Sequence, residues 1–106
     1  MGDEVVILIT ASSADEAAKI GRALVDEHLV ACANIIGGVR SLFLWDGKTR
    51  DEQETLMICK SRSLLMDRII DRVKQLHSYS VPEIIALPVV AGSKDYLDWV
   101  KETAKG

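Results

Sequence analysis

Asp46-Gly47 lies between two long runs of strand-forming residues, and it restricts the fold of this chain more than any other pair. A two-residue type I′ turn needs positive φ at both central positions, which Asp tolerates and Gly adopts freely. The chain on either side therefore doubles back on itself as an antiparallel hairpin. Upstream, Cys32-Ala-Asn-Ile-Ile36 is strand-like and Val39 to Trp45 continues with β-branched and aromatic residues. The intervening Gly37-Gly38 reads as a bulge or a kink, so the whole is one long, bent strand. Downstream, polar Lys48 to Glu54 extends the turn as a projecting ribbon. Thr55 to Cys59 forms the next strand, which Lys60, Ser61 and Arg62 carry out to solvent.

The hairpin is flanked by two helical patterns, each with a strand on its far side. Val5-Val-Ile-Leu-Ile9 is too short for an isolated helix and rich in β-branched residues, hence a buried strand. Ser13-Ala-Asp-Glu16 matches a capping box, and the helix it starts buries Ala17, Ile20, Leu24 and either His28 or Val25. That helix ends near His28. Ser63 is placed to cap a second helix, whose apolar set is Leu65, Met66, Ile69, Ile70, Val73 and Leu76. After it, His77 and Tyr79 precede Pro82, which fixes its own φ and forces Val81 to be extended. Glu83 then opens an uncharged run from Ile84 to Val90, a strand buried on both faces in which Pro88 marks an edge or a bulge. A break at Gly92-Ser93 leads to a short third helix carrying Tyr96, Leu97, Trp99 and Val100. The order βαββαβ is the split βαβ of the ferredoxin-like α+β fold, with two helices on one face of a four-stranded antiparallel sheet.

Length and pattern then pull against each other. The 106 residues suffice for one domain, 1–106, with one core. Yet Val5 to Ile9, Leu56 to Cys59 and Ile84 to Leu87 are apolar at both parities, whereas a sheet with one wet face alternates. The third helix is too short to cover the second face, so another copy of the chain is expected there. A formal net charge of −3, with 13 basic residues interleaved among 16 acidic ones, gives no footprint for nucleic acid. No apolar run approaches the ~20 residues of a membrane-spanning helix. The acidic start Met1-Gly-Asp-Glu lacks the basic region of a secretory signal, so the expected compartment is the cytoplasm. There, Cys32 and Cys59 are expected as buried thiols, although a hairpin places them almost opposite each other and leaves a disulfide open.

Several stretches in the right order carry a resemblance to a known family. They are Leu29-Val-Ala-Cys-Ala-Asn-Ile35, Ser41-x-x-x-Trp45-x-Gly47, Glu54 with Lys60, His77-x-Tyr79-x-x-Pro82-Glu83, Leu87-Pro88-Val89 and Tyr96-Leu-x-Trp99. From Val5 to Val100 the chain resembles the CutA family of divalent-cation tolerance proteins. The resemblance implies a ferredoxin-like subunit in a tight homotrimer, with sheets facing inward and strand extensions pairing across subunits, similar to the PII signal-transduction proteins. It implies a link to copper and other divalent cations. The family's metal pattern has a cysteine in the first strand and two adjacent histidines at the end of the second helix. Here the corresponding residues are Ile9, Leu76 and His77, so only His77 is left as a metal ligand. One imidazole makes a weak, unselective site.

The functional expectation is a non-enzymatic, metal-responsive trimeric binding or signalling protein. A structural trimer that anchors a partner protein and a small-ligand module of the PII type are the alternatives, with a small enzyme as a third. Trp45, Glu54, Lys60, Tyr79, Glu83, Tyr96 and Trp99 are the candidates for lining an intersubunit cleft, although aromatic residues serve packing as readily. Glu54 and Lys60 read as the two ends of one strand, available for an intersubunit ion pair or as a polar floor for an anionic ligand. His28 and His77 both suit a helix end, where a protonated imidazole meets the negative pole of the dipole. No nucleophile–base constellation can be assembled.

Overall fold

A computed structural model describes residues 2–106. In chain order the elements are β1 (Glu4–Ala11), α1 (Ala14–Asp26), β2 (Cys32–Trp45), β3 (Lys48–Arg62), α2 (Met66–Leu76), β4 (Ile84–Pro88) and α3 (Lys94–Thr103). The strands form one sheet in the order β2-β3-β1-β4, every neighbouring pair antiparallel. This is the ferredoxin-like α+β arrangement, with β3 inserted between β1 and β2.

The hairpin closes as the sequence requires. Trp45 pairs with Lys48 across Asp46 (φ 52) and Gly47 (φ 72), both in the left-handed region of a type I′ turn. The register slips between Ile36 and Val39, and Gly38 there has φ 75, so the glycine pair is a β-bulge. Beyond it β2 and β3 stay paired to the tip and project as a two-stranded ribbon, which gives the molecule a long dimension of 44 Å. The polar segment from Lys48 is thus part of β3, and Glu54 lies in mid-strand rather than at its end.

One face of the sheet holds the core. Val5, Ile7, Ile9 and Ala11 of β1 and Met57 and Cys59 of β3 pack against Ala17, Ile20 and Leu24 of α1 and Ile69 and Val73 of α2. Burying each large aliphatic side chain contributes about 1.5–3 kcal/mol, so the odd-numbered face of β1 and the helix faces packed on it carry the core together. Ser61, on the same face, is buried with its hydroxyl donating to the Leu29 carbonyl at 2.6 Å. The even-numbered face is different. Val6, Leu8, Leu56 and Ile58 are half-buried, and Ile36, Ile85 and Leu87 are 45%, 50% and 49% exposed. In the single chain β4 is therefore an open edge strand with Pro88 as its last residue, not a strand buried on both sides.

Three local expectations are corrected. Neither His28 nor Val25 joins the buried face of α1: Val25, one position after buried Leu24, is on the exposed side of the helix, and His28 lies past its close at Glu27. His28 takes φ 60, its N–H donates to Val25 and the Leu29 N–H to Leu24, so an exposed histidine occupies the left-handed position of a Schellman motif. Ser63 does not cap α2. Its N–H donates to the Asp3 carbonyl at 2.7 Å, extending the β1–β3 ladder, and a 3-10 turn over Ser63–Leu65 leads into the helix. Finally, Cys32 pairs with Lys60, and Cys59 with Ala33. Consecutive strand positions face opposite ways, so the two thiols lie on opposite faces of the sheet and are free.

Candidate functional site

The chain leaves α2 at His77, whose N–H still donates to the Val73 carbonyl while its own φ and ψ (−83, 143) are extended. That change of direction turns the imidazole inward, where its side chain is 0% exposed. Nε2 lies 2.7 Å from the Thr10 carbonyl oxygen, and the Tyr79 N–H points at Nδ1 from 3.1 Å. A carbonyl can only accept and an amide N–H can only donate. The ring is therefore the neutral Nε2–H tautomer, with its one lone pair taken by Tyr79. Glu16 Oε2 approaches Nδ1 to 3.9 Å, but that contact is not an ion pair, because the nitrogen accepts rather than carries a proton.

Glu16 has partners of its own. Its carboxylate accepts from the Ser12 N–H (2.9 Å), the Ser12 hydroxyl (2.8 Å) and the Ser78 N–H (2.8 Å), tying the start of α1 to the turn after α2. The capping box is thus shifted by one residue: Ser13 accepts from the Glu16 N–H at 3.1 Å as expected, but Glu16 reaches back to Ser12. Burial acts to raise the Glu16 pKa, yet the hydrogen bonds from Ser12 and Ser78 outweigh it and hold the group down at about 2.

Once its backbone is held by His77, Tyr79 crosses to the ribbon, where its hydroxyl donates to Glu54 Oε2 at 2.8 Å. Burial, then this bond to a carboxylate, push the phenol well above its ordinary value. Over this pair opens a cleft of about 680 Å³ between the ribbon and the segment from Tyr79 to Glu83. Thr10, Glu54 and Tyr79 line it together with Ser41, Phe43, Trp45, Arg50 and Glu52 from the ribbon, and Glu83 from the opposite side. Three carboxylates face one guanidinium, with aromatic surface beside them.

Of the residues singled out in the sequence, Trp45, Glu54, Tyr79 and Glu83 meet in this cleft. His77 lies behind it and does not line it. Lys60 is elsewhere, on the even-numbered face, with its ammonium on Asn34 Oδ1, so it supplies no positive floor for Glu54. Tyr96 and Trp99 lie on α3 with ring centroids 5.5 Å apart, and the Tyr96 hydroxyl is 3.6 Å from the Cys32 thiol. Sequence reasoning missed Phe43, Arg50 and Glu52, and read Glu16 only as part of a capping box, without its bond to Ser78. The first three were within reach, because a two-residue turn at Asp46-Gly47 pairs Phe43 with Arg50 and Ser41 with Glu52 on the face that carries Trp45 and Glu54.

Comparison with known proteins gives one answer. A family model described as CutA1 divalent ion tolerance protein matches residues 5–103. The divalent-cation tolerance protein CutA of Thermus thermophilus is 44% identical over 99 residues, 93% of this chain and 96% of that one. The chloroplastic protein CutA of Arabidopsis thaliana is 37% identical over 95% of this chain, which spans only 56% of the plant protein. The solved structure of the periplasmic divalent cation tolerance protein CutA from Archaeoglobus fulgidus superposes with a TM-score of 0.93 at 41% identity, covering 96% of this chain and 99% of that one.

A divalent cation fits the side chains of a single chain poorly. Among the described residues no three of His, Cys, Asp and Glu converge as a metal ion requires. His77, the one imidazole at a ligand position of the family pattern, has both ring nitrogens in use.

Proposed function

The chain belongs to the CutA1 divalent ion tolerance family, and on that premise we propose that it is a non-enzymatic binding or signalling protein of divalent-cation tolerance, acting as a cytoplasmic homotrimer of one domain per subunit, with copper among the ions to which it responds. The observation that carries this reading is the even-numbered sheet face. Leu8 lies opposite Ile58 on one side and Ile85 on the other, Val6 lies opposite Leu87, and Ile36 opposite Leu56. A continuous apolar surface across all four strands is what a second and third copy would cover, each buried aliphatic contributing about 1.5–3 kcal/mol. Dissociation and unfolding then become nearly one event. Sedimentation at micromolar concentration tests the assembly: a trimer is expected, and a folded monomer overturns it. Incubating the trimer with copper, nucleotides and common acid metabolites tests the rest, since turnover of any of them overturns the non-enzymatic reading.

The cleft favours a second reading, a module of the PII type that takes a small ligand beside the ribbon, since the architecture that the family resemblance implies is similar to that of the PII proteins. Its excess of carboxylates over the single Arg50 selects against anions, and Trp45 gives a readout. Saturable quenching of Trp45 fluorescence by a small molecule, absent in Trp45→Phe, is the expected signature.

A further inference from the structure

We infer that His77 in this chain is a positioning residue for Tyr79 and not a metal ligand. A histidine coordinates a metal through an unprotonated ring nitrogen with a free lone pair. The Tyr79 N–H, 3.1 Å from Nδ1, occupies the one lone pair the neutral ring has. The other nitrogen donates to Thr10 at 2.7 Å. That carbonyl lies one residue beyond Ile9↔Ile84, the last pair between β1 and β4, so the imidazole supplies a hydrogen bond where the β4 backbone no longer reaches. Coordination at either nitrogen would strip a part-buried backbone group of its partner, and the full cost of about 1–3 kcal/mol for an unpaired buried polar group is an upper bound on that loss. Nor is there an approach, because the side chain is fully buried between β1, the turn after α2 and the Tyr79 ring, whose centroid is 4.6 Å away.

What the imidazole does is set Tyr79. Its two bonds join the Thr10 backbone to the Tyr79 backbone, and Glu16 fixes the intervening Ser78 N–H at 2.8 Å. With three consecutive residues held, the start of the Tyr79 side chain is fixed at the distance from which its phenol reaches Glu54 at the base of the cleft. Leu76, the residue before His77, is half-buried and packs against the core, so it brings no second ligand beside the imidazole. This inference does not depend on the trimer or on the cleft's having a ligand.

The test uses the intact protein in its native assembly. Long-range proton–nitrogen spectra of protein carrying nitrogen-15 histidine are expected to show His77 as the Nε2–H tautomer, with both ring nitrogens unmoved as Zn2+ is added; exposed His28 serves as the internal comparison. A saturable Zn2+-dependent shift at either His77 nitrogen overturns the inference, and this measurement needs no variant. In parallel, Zn2+ affinity is expected to be the same in wild type, His77→Ala and His77→Asn, whereas its loss in the variants restores His77 as a ligand. The positioning role has its own readout. Tyr79 phenolate formation is expected at lower pH in His77→Ala and at the wild-type pH in His77→Asn, whose side-chain oxygen can still accept from the Tyr79 N–H. An unchanged Tyr79 titration in a folded His77→Ala removes that role.

Discussion

The Tyr79 hydroxyl donates to Glu54 Oε2 at 2.8 Å, joining the turn after α2 to the middle of β3 and closing the base of the cleft. Truncation to Tyr79→Phe leaves a half-buried carboxylate oxygen without its donor, at a cost of about 1–2 kcal/mol measured by denaturation at fixed chain concentration. The isosteric Glu54→Gln keeps the shape and removes the charge. Because burial and the carboxylate hold the folded phenol above the ordinary 10.0, the proton is bound more tightly folded than unfolded. Stability from this group is therefore complete below pH 10 and declines as the pH rises past it. Ultraviolet absorbance of phenolate is expected to stay flat as the pH passes 10 in wild type, since Tyr96, bonded to the Cys32 thiol and partly buried, is also raised to about 12. Glu54→Gln brings the Tyr79 step to lower pH.

Glu16 sets the acid side. Its carboxylate is lowered from 4.5 to about 2 by donors from Ser12 and Ser78 that overcome the effect of burial. A folded-state pKa below the unfolded one gives stability that is full above about pH 4.5 and lost as the pH falls toward 2. Glu16→Gln replaces an acceptor with a donor facing N–H groups, and is expected to cost about 1–3 kcal/mol at neutral pH. The difference between wild type and variant shrinks as the pH is lowered through that window. A constant difference down to pH 2 contradicts the assignment.

The order of elements and the apolar character of the even face were legible because both rest on periodicity, which is local. The ribbon face was legible in principle from the turn type, since Asp46-Gly47 fixes which side chains share a side. The role of His77 was not. Residue type and position at a helix end say that an imidazole is present, but its partners, the Thr10 carbonyl and the Tyr79 amide, are backbone groups, and backbone groups leave no trace in a sequence. Lys60 and Glu54 failed for a related reason. Reading β3 as starting at Thr55 made them strand ends, whereas the strand begins at Lys48 and the two charges point to separate neighbourhoods, Asn34 for one and Tyr79 for the other.

Cys59 offers a check on the sheet's two faces. It lies in the core, where burial pushes its thiol up to about 12, so almost no thiolate forms near neutral pH. Alkylation of the native protein at mildly alkaline pH, read by mass spectrometry, is expected to spare Cys59 and to modify it once denaturant is added. No treatment with mild oxidant is expected to link it to Cys32 within the folded chain, because the sheet lies between them. A native Cys32–Cys59 disulfide would mean that the register of β2 on β3 is wrong by one residue, which would also turn Ala33 and Ile35 away from the core.

His28 is a place where the fold is maintained against local preference. It is exposed, has φ 60 and sits where the Schellman motif most often has glycine, with its carbonyl accepting the Gly106 N–H at 2.9 Å. A side chain in the left-handed region costs about 1–2 kcal/mol, part of which glycine loses again through its freer unfolded chain. His28→Gly is therefore expected to stabilise the protein by about 0.5–1 kcal/mol, with the bonds from Leu29 to Leu24 and from His28 to Val25 intact. His28→Val, β-branched and forced into the same φ, is expected to destabilise it. The comparison needs only thermal denaturation of the three proteins at one chain concentration. A His28→Gly variant less stable than wild type would show that the imidazole makes a favourable interaction at the end of α1 that outweighs the strain.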